Sequence, residues 1–265
     1  MSIIVPQSIR PILLYHKVDP RWDLAITNLY PHQFQRQLDA ILEAKKVLTT
    51  MEDALSSQSP KNAVGLTFDD GFDSIKRYAF PLLQPHNFTG TVFLIANSLG
   101  KRNRWDAKLG FRSFRHLDNN EVFSLIFEGW RIGSHGLTHT ALTLLSETEA
   151  RREIFESKER LEQYFGQPVM SIAFPFGRVT QKHLEAALEV GYRWLCVPFV
   201  RSEWPEEIKR ACVVRRGVYW GETRTMFREK ISNEPLPFIH EKKLLYVNKM
   251  AGGTVLIQTI RRLLT

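Results

Sequence analysis

Compact apolar blocks recur along the chain, and between them lie longer stretches whose apolar residues return at helical spacing. Ile12-Leu-Leu-Tyr15 suits a buried strand, and Pro31 to Ala44 then carries Phe34, Leu38, Ile41 and Leu42 at helical intervals. Ala63 to Phe68 predicts the next strand, Ser74 to Leu83 a helix stopped near Pro85, and Thr91 to Ile95 a third strand. The basic, aromatic stretch from Asn97 to Arg115 reads as a loop over one face of the domain. A helix from Asn119 to Glu128, capped by Asp118 or Asn119 and ended by Gly129, leads to a short strand at Arg131 to Ser134. Ser146-x-x-Glu149 is a capping-box pattern that opens a charged helix reaching Phe165. A strand at Ser171 to Phe174, a helix at Gln181 to Leu188, a strand at Trp194 to Val197 and a last strand near Cys212 to Val214 follow.

Strands alternating with helices predict βα units and a parallel sheet or barrel, about seven of them before residue 230. Residues 1–230 are therefore read as one α/β domain and 231–265 as a basic, helical C-terminal extension broken at Gly252-Gly253. At 265 residues, 43% hydrophobic and 24% charged, the composition is that of a folded chain able to bury a sizeable core. The net charge of +8 implies an anion-attracting surface. Nucleic acid is not the expected partner, because the basic residues are scattered and no recognised binding motif accompanies them. The basic tail is read as a helix packed on the domain, with peripheral membrane association as the alternative. Oligomeric state is not legible. Cys196 and Cys212 are too few and too far apart for a disulfide framework and are expected to be buried thiols. The first residues lack the features of a signal peptide, and no apolar run of about 18 residues exists, so a cytoplasmic address is expected.

Three segments follow predicted strands at the end where parallel sheets and barrels bind ligands. In Thr67-Phe-Asp-Asp-Gly71 two adjacent carboxylates repel, so burying both needs a cation. A divalent ion held by one would supply it and leave the other free to act as base on a water that the ion activates. In His135-Gly-Leu-Thr-His139 two imidazoles four residues apart are expected on one face of a helical turn, gripping one ion. One carboxylate and two imidazoles suit Zn²⁺ first, with Co²⁺ or Ni²⁺ as alternatives. In Phe174-Pro-Phe-Gly177 the turn could aim the backbone N–H of Phe176 at a developing oxyanion. Trp105, Phe111, Phe114, Trp204 and Trp220 are candidates to stack on a ring-shaped ligand, a sugar if the resemblance given next holds.

Together these segments resemble the polysaccharide deacetylase family, also called the NodB-homology or carbohydrate esterase family 4 domain. Thr67 to Gly71 match all of its Thr-Phe-Asp-Asp-Gly motif, and His135 and His139 match His-Ser/Thr-x-x-His, with Gly136 replacing the hydroxyl residue. Leu13-Leu-Tyr-His16 and the helix bearing Phe34 and Leu38 are similar to the branch acting on exopolysaccharides such as poly-N-acetylglucosamine. The resemblance implies a distorted (β/α)7 barrel and removal of N-acetyl groups from a glycan or glycan precursor. It implies Asp69 as general base, Asp70, His135 and His139 as metal ligands, and the Phe176 N–H at the oxyanion; Pro175, Arg215 and Arg216 are further expected on the substrate side. Two alternatives accompany this reading: a deformylase or deacetylase of a lipid-linked sugar, and a carbohydrate-binding pathway protein with weak turnover.

The chain departs from the family pattern twice. Where the third motif often carries an arginine bonded to the catalytic Asp, it has Ala173, so Arg215 or Arg216 is expected to take that part. The late Leu-His motif that provides a general acid is not found, which leaves His240 and His16 as candidate proton donors.

Overall fold

Inward and outward positions alternate along the strands of the domain, and that alternation builds both of its cores. The structure is a computed structural model that describes residues 3–4, 10–23, 25–103 and 113–236. Trp105, Phe111, His240 and most of the basic extension lie outside the described residues. Nine strands join in one sheet: β1 (Ile12–Tyr15), β2 (Val47–Thr49), β3 (Ala63–Phe68), β4 (Thr91–Leu94), β5 (Arg131–Ser134), β6 (Ser171–Ala173), β7 (Trp194–Val197), β8 (Cys212–Val214) and β9 (Arg216–Gly217). Every pairing in it is parallel. The order is β8-β7-β6-β5-β4-β3-β1-β9, with β2 added on β3.

β8 and β9 are one run of chain interrupted only at Arg215. Its first half pairs with β7 and its second half with β1, so the sheet closes on itself. Setting β2 aside and counting β8–β9 as one stave leaves seven staves of the nine strands, the distorted (β/α)7 barrel expected from the motifs.

Ile12, Phe93, Ala173, Cys196 and Val213 point into the barrel, where Met51 and Ala54 of a short helix plug the amino end. Glu52 of that helix accepts hydrogen bonds from Thr91 Oγ1 at 2.6 Å and Ser171 Oγ at 2.8 Å. The alternate residues, among them Leu13, Leu66, Phe68, Val92, Ile132 and Ile172, face the surrounding helices and form the larger core. Burying a side chain such as Phe68, 0% exposed, contributes about 1.5–3 kcal/mol. Gly65 and Gly133 keep the barrel narrow: a Cβ on Gly133 would lie 2.4 Å from the Phe93 ring.

The helices that cover the sheet include α1 (Pro31–Glu43), α2 (Asn119–Phe127), α3 (Glu147–Phe165), α4 (Gln181–Glu189), α5 (Glu206–Ala211) and α6 (Arg224–Ile231). The Ser146/Glu149 capping box starts α3, and Asp118, not Asn119, caps α2. The predicted helix from Ser74 is instead a π-helical turn at Ile75–Ala79 running into a short α-helix at Phe80–Leu83. Cys196 and Cys212 are free and buried. Among the described residues, no helix is long and apolar enough to cross a membrane.

Candidate metal centre and active site

The carboxyl ends of β3, β5 and β6 and the β8–β9 junction deliver the reactive side chains to one buried spot. Asp69 continues the inward face of Gly65 and Thr67 one step past β3. Asp70 (φ 68°) and Gly71 (φ 61°) then turn the chain through two successive left-handed residues. A side chain at Gly71 would meet Leu94 Cδ2 at 2.7 Å, so glycine is required there on two counts. His139 (φ 65°) and Phe176 (φ 58°) are also left-handed; strain of this kind, costly for bulky residues, gathers at the site.

Asp70 Oδ1 lies 3.3 Å from His135 Nε2 and 3.2 Å from His139 Nε2, and the two Nε2 atoms are 3.2 Å apart. His135 Nδ1 is 2.7 Å from the Ala173 carbonyl oxygen, so it donates there and its Nε2 presents a lone pair to the triangle. With His139 Nε2 also carrying its lone pair inward, the three atoms face one another as acceptors and can share one cation. Tetrahedral coordination with bonds of 2.0–2.1 Å puts ligand atoms about 3.3 Å apart. The observed triangle has that size, so the residues fit a first-row divalent ion.

Burial would raise the pKa of Asp70, but the contacts with His135 and His139 hold it well below the usual carboxylate range. For His135 burial is outweighed by Asp69 and Asp70, which raise its pKa, whereas burial drives His139 down to about 4. Of the two imidazoles, His135 is therefore the one whose surroundings favour the charged form.

Asp69 stands beside this triangle in a two-point ion pair with Arg215: Oδ1 to Nη1 at 2.6 Å and Oδ2 to Nη2 at 2.8 Å. Arg215 also donates to Thr67 Oγ1 at 3.2 Å and lies 4.8 Å above the Phe93 ring. Burial works against the Asp69 carboxylate, but Arg215 outweighs it and keeps the pKa low. Arg216, one residue on, points out of the barrel and donates to the carbonyls of Glu229, Lys230, Ser232 and Glu234, the last at 2.8 Å. It is not brought to Asp69.

A family model described as polysaccharide deacetylase matches residues 56–195, a span that holds Asp69, Asp70, both histidines and the Pro175 turn. The chain belongs to the polysaccharide deacetylase family. Among the proteins it is similar to, YxkH of Bacillus subtilis is 26% identical over 188 residues, covering 69% of this chain and 62% of that protein. The poly-beta-1,6-N-acetyl-D-glucosamine N-deacetylase of Staphylococcus epidermidis is 25% identical over 146 residues, 51% of this chain and 47% of the relative. The chain thus spans less than two thirds of these relatives' length. The Streptococcus pyogenes deacetylase PplD, solved with acetate, has the same fold: TM-score 0.70 at 19% identity over 88% of this chain and 100% of that one.

Within this polysaccharide deacetylase domain, the structure gathers Asp69, Asp70, His135, His139 and Arg215, and brings the Phe176 ring to 4.8 Å from His139. The histidine segment is not the expected helical turn: it is a loop turned by Gly136 (φ 79°) and His139. His16 is also at the site, where burial lowers its pKa against the pull of Asp70 and Asp69. Its Nδ1 is buried with no hydrogen-bond partner among the described residues. Phe114 and Trp204 are buried and not free to stack on a sugar, while Trp220 is 57% exposed.

One residue carried no signal in the sequence. His116, 2% exposed, stacks on Phe72, with Nδ1 2.7 Å from the Asp70 carbonyl oxygen. With Leu117 N donating to Gly71 O at 2.8 Å and Asp73 N to Arg115 O at 2.9 Å, it clamps the Asp69–Gly71 turn from the returning loop. Lone histidines in basic loops are common, and nothing in the spacing marks this one.

Proposed function

We propose that the chain is a metal-dependent hydrolase that removes N-acetyl groups from a glycan or glycan precursor, releasing acetate and a free amine. The observation that carries this reading is the acceptor triangle of Asp70, His135 and His139, sized for one ion, beside an ionised Asp69. When bound, a divalent ion supplies Lewis-acid chemistry, polarising a carbonyl oxygen and acidifying water.

The chain's own residues do the rest. Asp69 acts as general base: Arg215 takes one lone pair on each oxygen, and a second on each stays available for the proton of the attacking water. The backbone N–H of Phe176, on its strained turn, donates to the developing oxyanion. His16 donates a proton to the departing amine. Its place among Asp69, Asp70 and His135 supports that role; burial holds its pKa below the ordinary value despite the two carboxylates, which makes its charged form a ready proton donor.

The Staphylococcus epidermidis relative's name makes β-1,6-linked N-acetylglucosamine oligomers the first substrate to try. Acetate release from them with Zn²⁺ or Co²⁺ is expected from the wild type and to vanish in Asp69→Asn, which keeps the three metal ligands. Oligomer binding without release, unchanged by Asp69→Asn, would show a carbohydrate-binding protein instead.

A further inference from the structure

Between the two histidines the chain passes through Gly136, Leu137 and Thr138 with no regular secondary structure, and its amides need acceptors from elsewhere. One comes from α3, which packs beside the loop. Glu153, 7% exposed, accepts the Leu137 N–H at 2.9 Å and the Thr138 N–H at 3.0 Å on Oε2, and the Thr138 hydroxyl at 2.6 Å on Oε1. Among the described residues no cation forms an ion pair with it. A carboxylate buried this far without a counter-charge is costly unless its hydrogen bonds are well made, and it accepts three, the one from the Thr138 hydroxyl short at 2.6 Å.

The position of the bonds says what they do. Leu137 and Thr138 stand directly between the two residues whose Nε2 atoms lie 3.2 Å apart. The same Glu153 oxygen lies 3.4 Å from where a Cβ on Gly136 would be, so the loop runs close against it. Leu137 is further tied on its carbonyl side, accepting the Asn97 N–H at 2.9 Å, so the peptide is held from both faces.

We infer that Glu153 is a positioning residue for the metal centre: from α3 it fixes the loop backbone so that His135 and His139 converge on one ion. This rests on the metal site proposed above. A loop held from outside keeps its ligand geometry before the ion arrives, and losing such a support weakens metal binding typically by about 10–100-fold.

Two substitutions separate this role from a plain structural contact. Glu153→Gln keeps one carbonyl oxygen for the two amides and an NH₂ for the Thr138 hydroxyl, whereas Glu153→Ala removes every acceptor. Zn²⁺ and Co²⁺ affinities are measured by calorimetry, with the Co²⁺ absorption spectrum reporting ligand geometry. Glu153→Ala is expected to lose about 10–100-fold in affinity and to change that spectrum, and Glu153→Gln to recover most of both. Should Glu153→Ala not fold, Thr138→Val removes the bond to Oε1 and is expected to lose several-fold, on the order of one hydrogen bond. Thr140→Val serves as its control, because it removes only the 2.8 Å contact between the Thr138 and Thr140 hydroxyls, and is expected to lose little. Affinity and spectrum unchanged in the Glu153 and Thr138 variants, or an equal loss in Gln and Ala, would overturn the inference. A wild type that binds neither ion would instead sink the metal site itself.

Discussion

At Asp69 a carboxylate is kept ionised inside the barrel mouth by one guanidinium, and the consequences of removing that guanidinium are specific. Arg215→Ala strands a buried charge, and breaking such a pair costs about 3–5 kcal/mol. Urea unfolding should show that loss, with a smaller one in Arg215→Lys, which keeps a charge but not the two-point geometry. The pH effect has a definite sign. Asp69 has a lowered pKa in the folded chain, so its stabilisation is present above the unfolded value, about 3.9, and is lost as pH falls through the folded pKa. Without Arg215 the folded pKa rises, so the acid limb of the rate profile should move to higher pH; an unmoved limb would contradict the pairing. That an arginine from the last strand would replace the one missing at 173 was legible in the sequence; which of the two was not. Cys212-Val213-Val214 is apolar throughout, as strands buried on both faces are, so it shows no alternation to say which of Arg215 and Arg216 turns inward. Only the pairing of β8, which sends Val213 into the barrel, settles that Arg215 follows it.

Elements were read well wherever an apolar block was long enough to stand out, and less well where the barrel uses very short ones. β9 is two residues and β2 three, too short for any periodicity, yet β9 completes the ring and β2 leads into the helix that plugs its amino end. The histidine segment departs from the expected helical turn for a different reason. Two residues four apart share a face of a helix, but a loop with left-handed turns at Gly136 and His139 brings them together equally well. The inward glycines give an element-level prediction. Alanine at 133 would press against Phe93 ring atoms at 2.4 and 2.5 Å and Ser171 Oγ at 2.8 Å, with rigid groups on both sides. Alanine at 65 would chiefly meet Ile12 Cδ1 at 2.5 Å, the free end of a side chain that can rotate away. Overpacking costs about 1–3 kcal/mol, so Gly133→Ala should sit at or above the top of that range and Gly65→Ala near the bottom. Denaturant midpoints that rank the two the other way would mean the barrel is more deformable than its packing indicates.

Across the whole molecule, the proposed ligand triangle joins the ends of β3 and β5, so an ion there would tie the turn after one stave to the loop after another. An ion that binds only the folded chain stabilises it by RT ln(1 + [L]/Kd), about 2.7 kcal/mol at a hundredfold excess over Kd. That stabilisation depends on pH, because ligating imidazoles must give up their protons. His139, held down to about 4, is already neutral over the working range and contributes nothing there. His135 is raised above its usual 6.5, so it is the group whose proton competes with the ion. In the empty site its raised pKa stabilises the fold fully below the unfolded value, and that contribution fades as pH rises through the folded one. The empty protein should therefore lose this increment over the same interval in which ion binding tightens. The two trends oppose each other, and the gap in melting temperature with and without Zn²⁺ should widen from pH 5 to pH 8. Scanning calorimetry across that range tests it. A gap that stays flat would place the competing proton elsewhere than His135, and one that narrows would mean that the imidazoles are not the ligands.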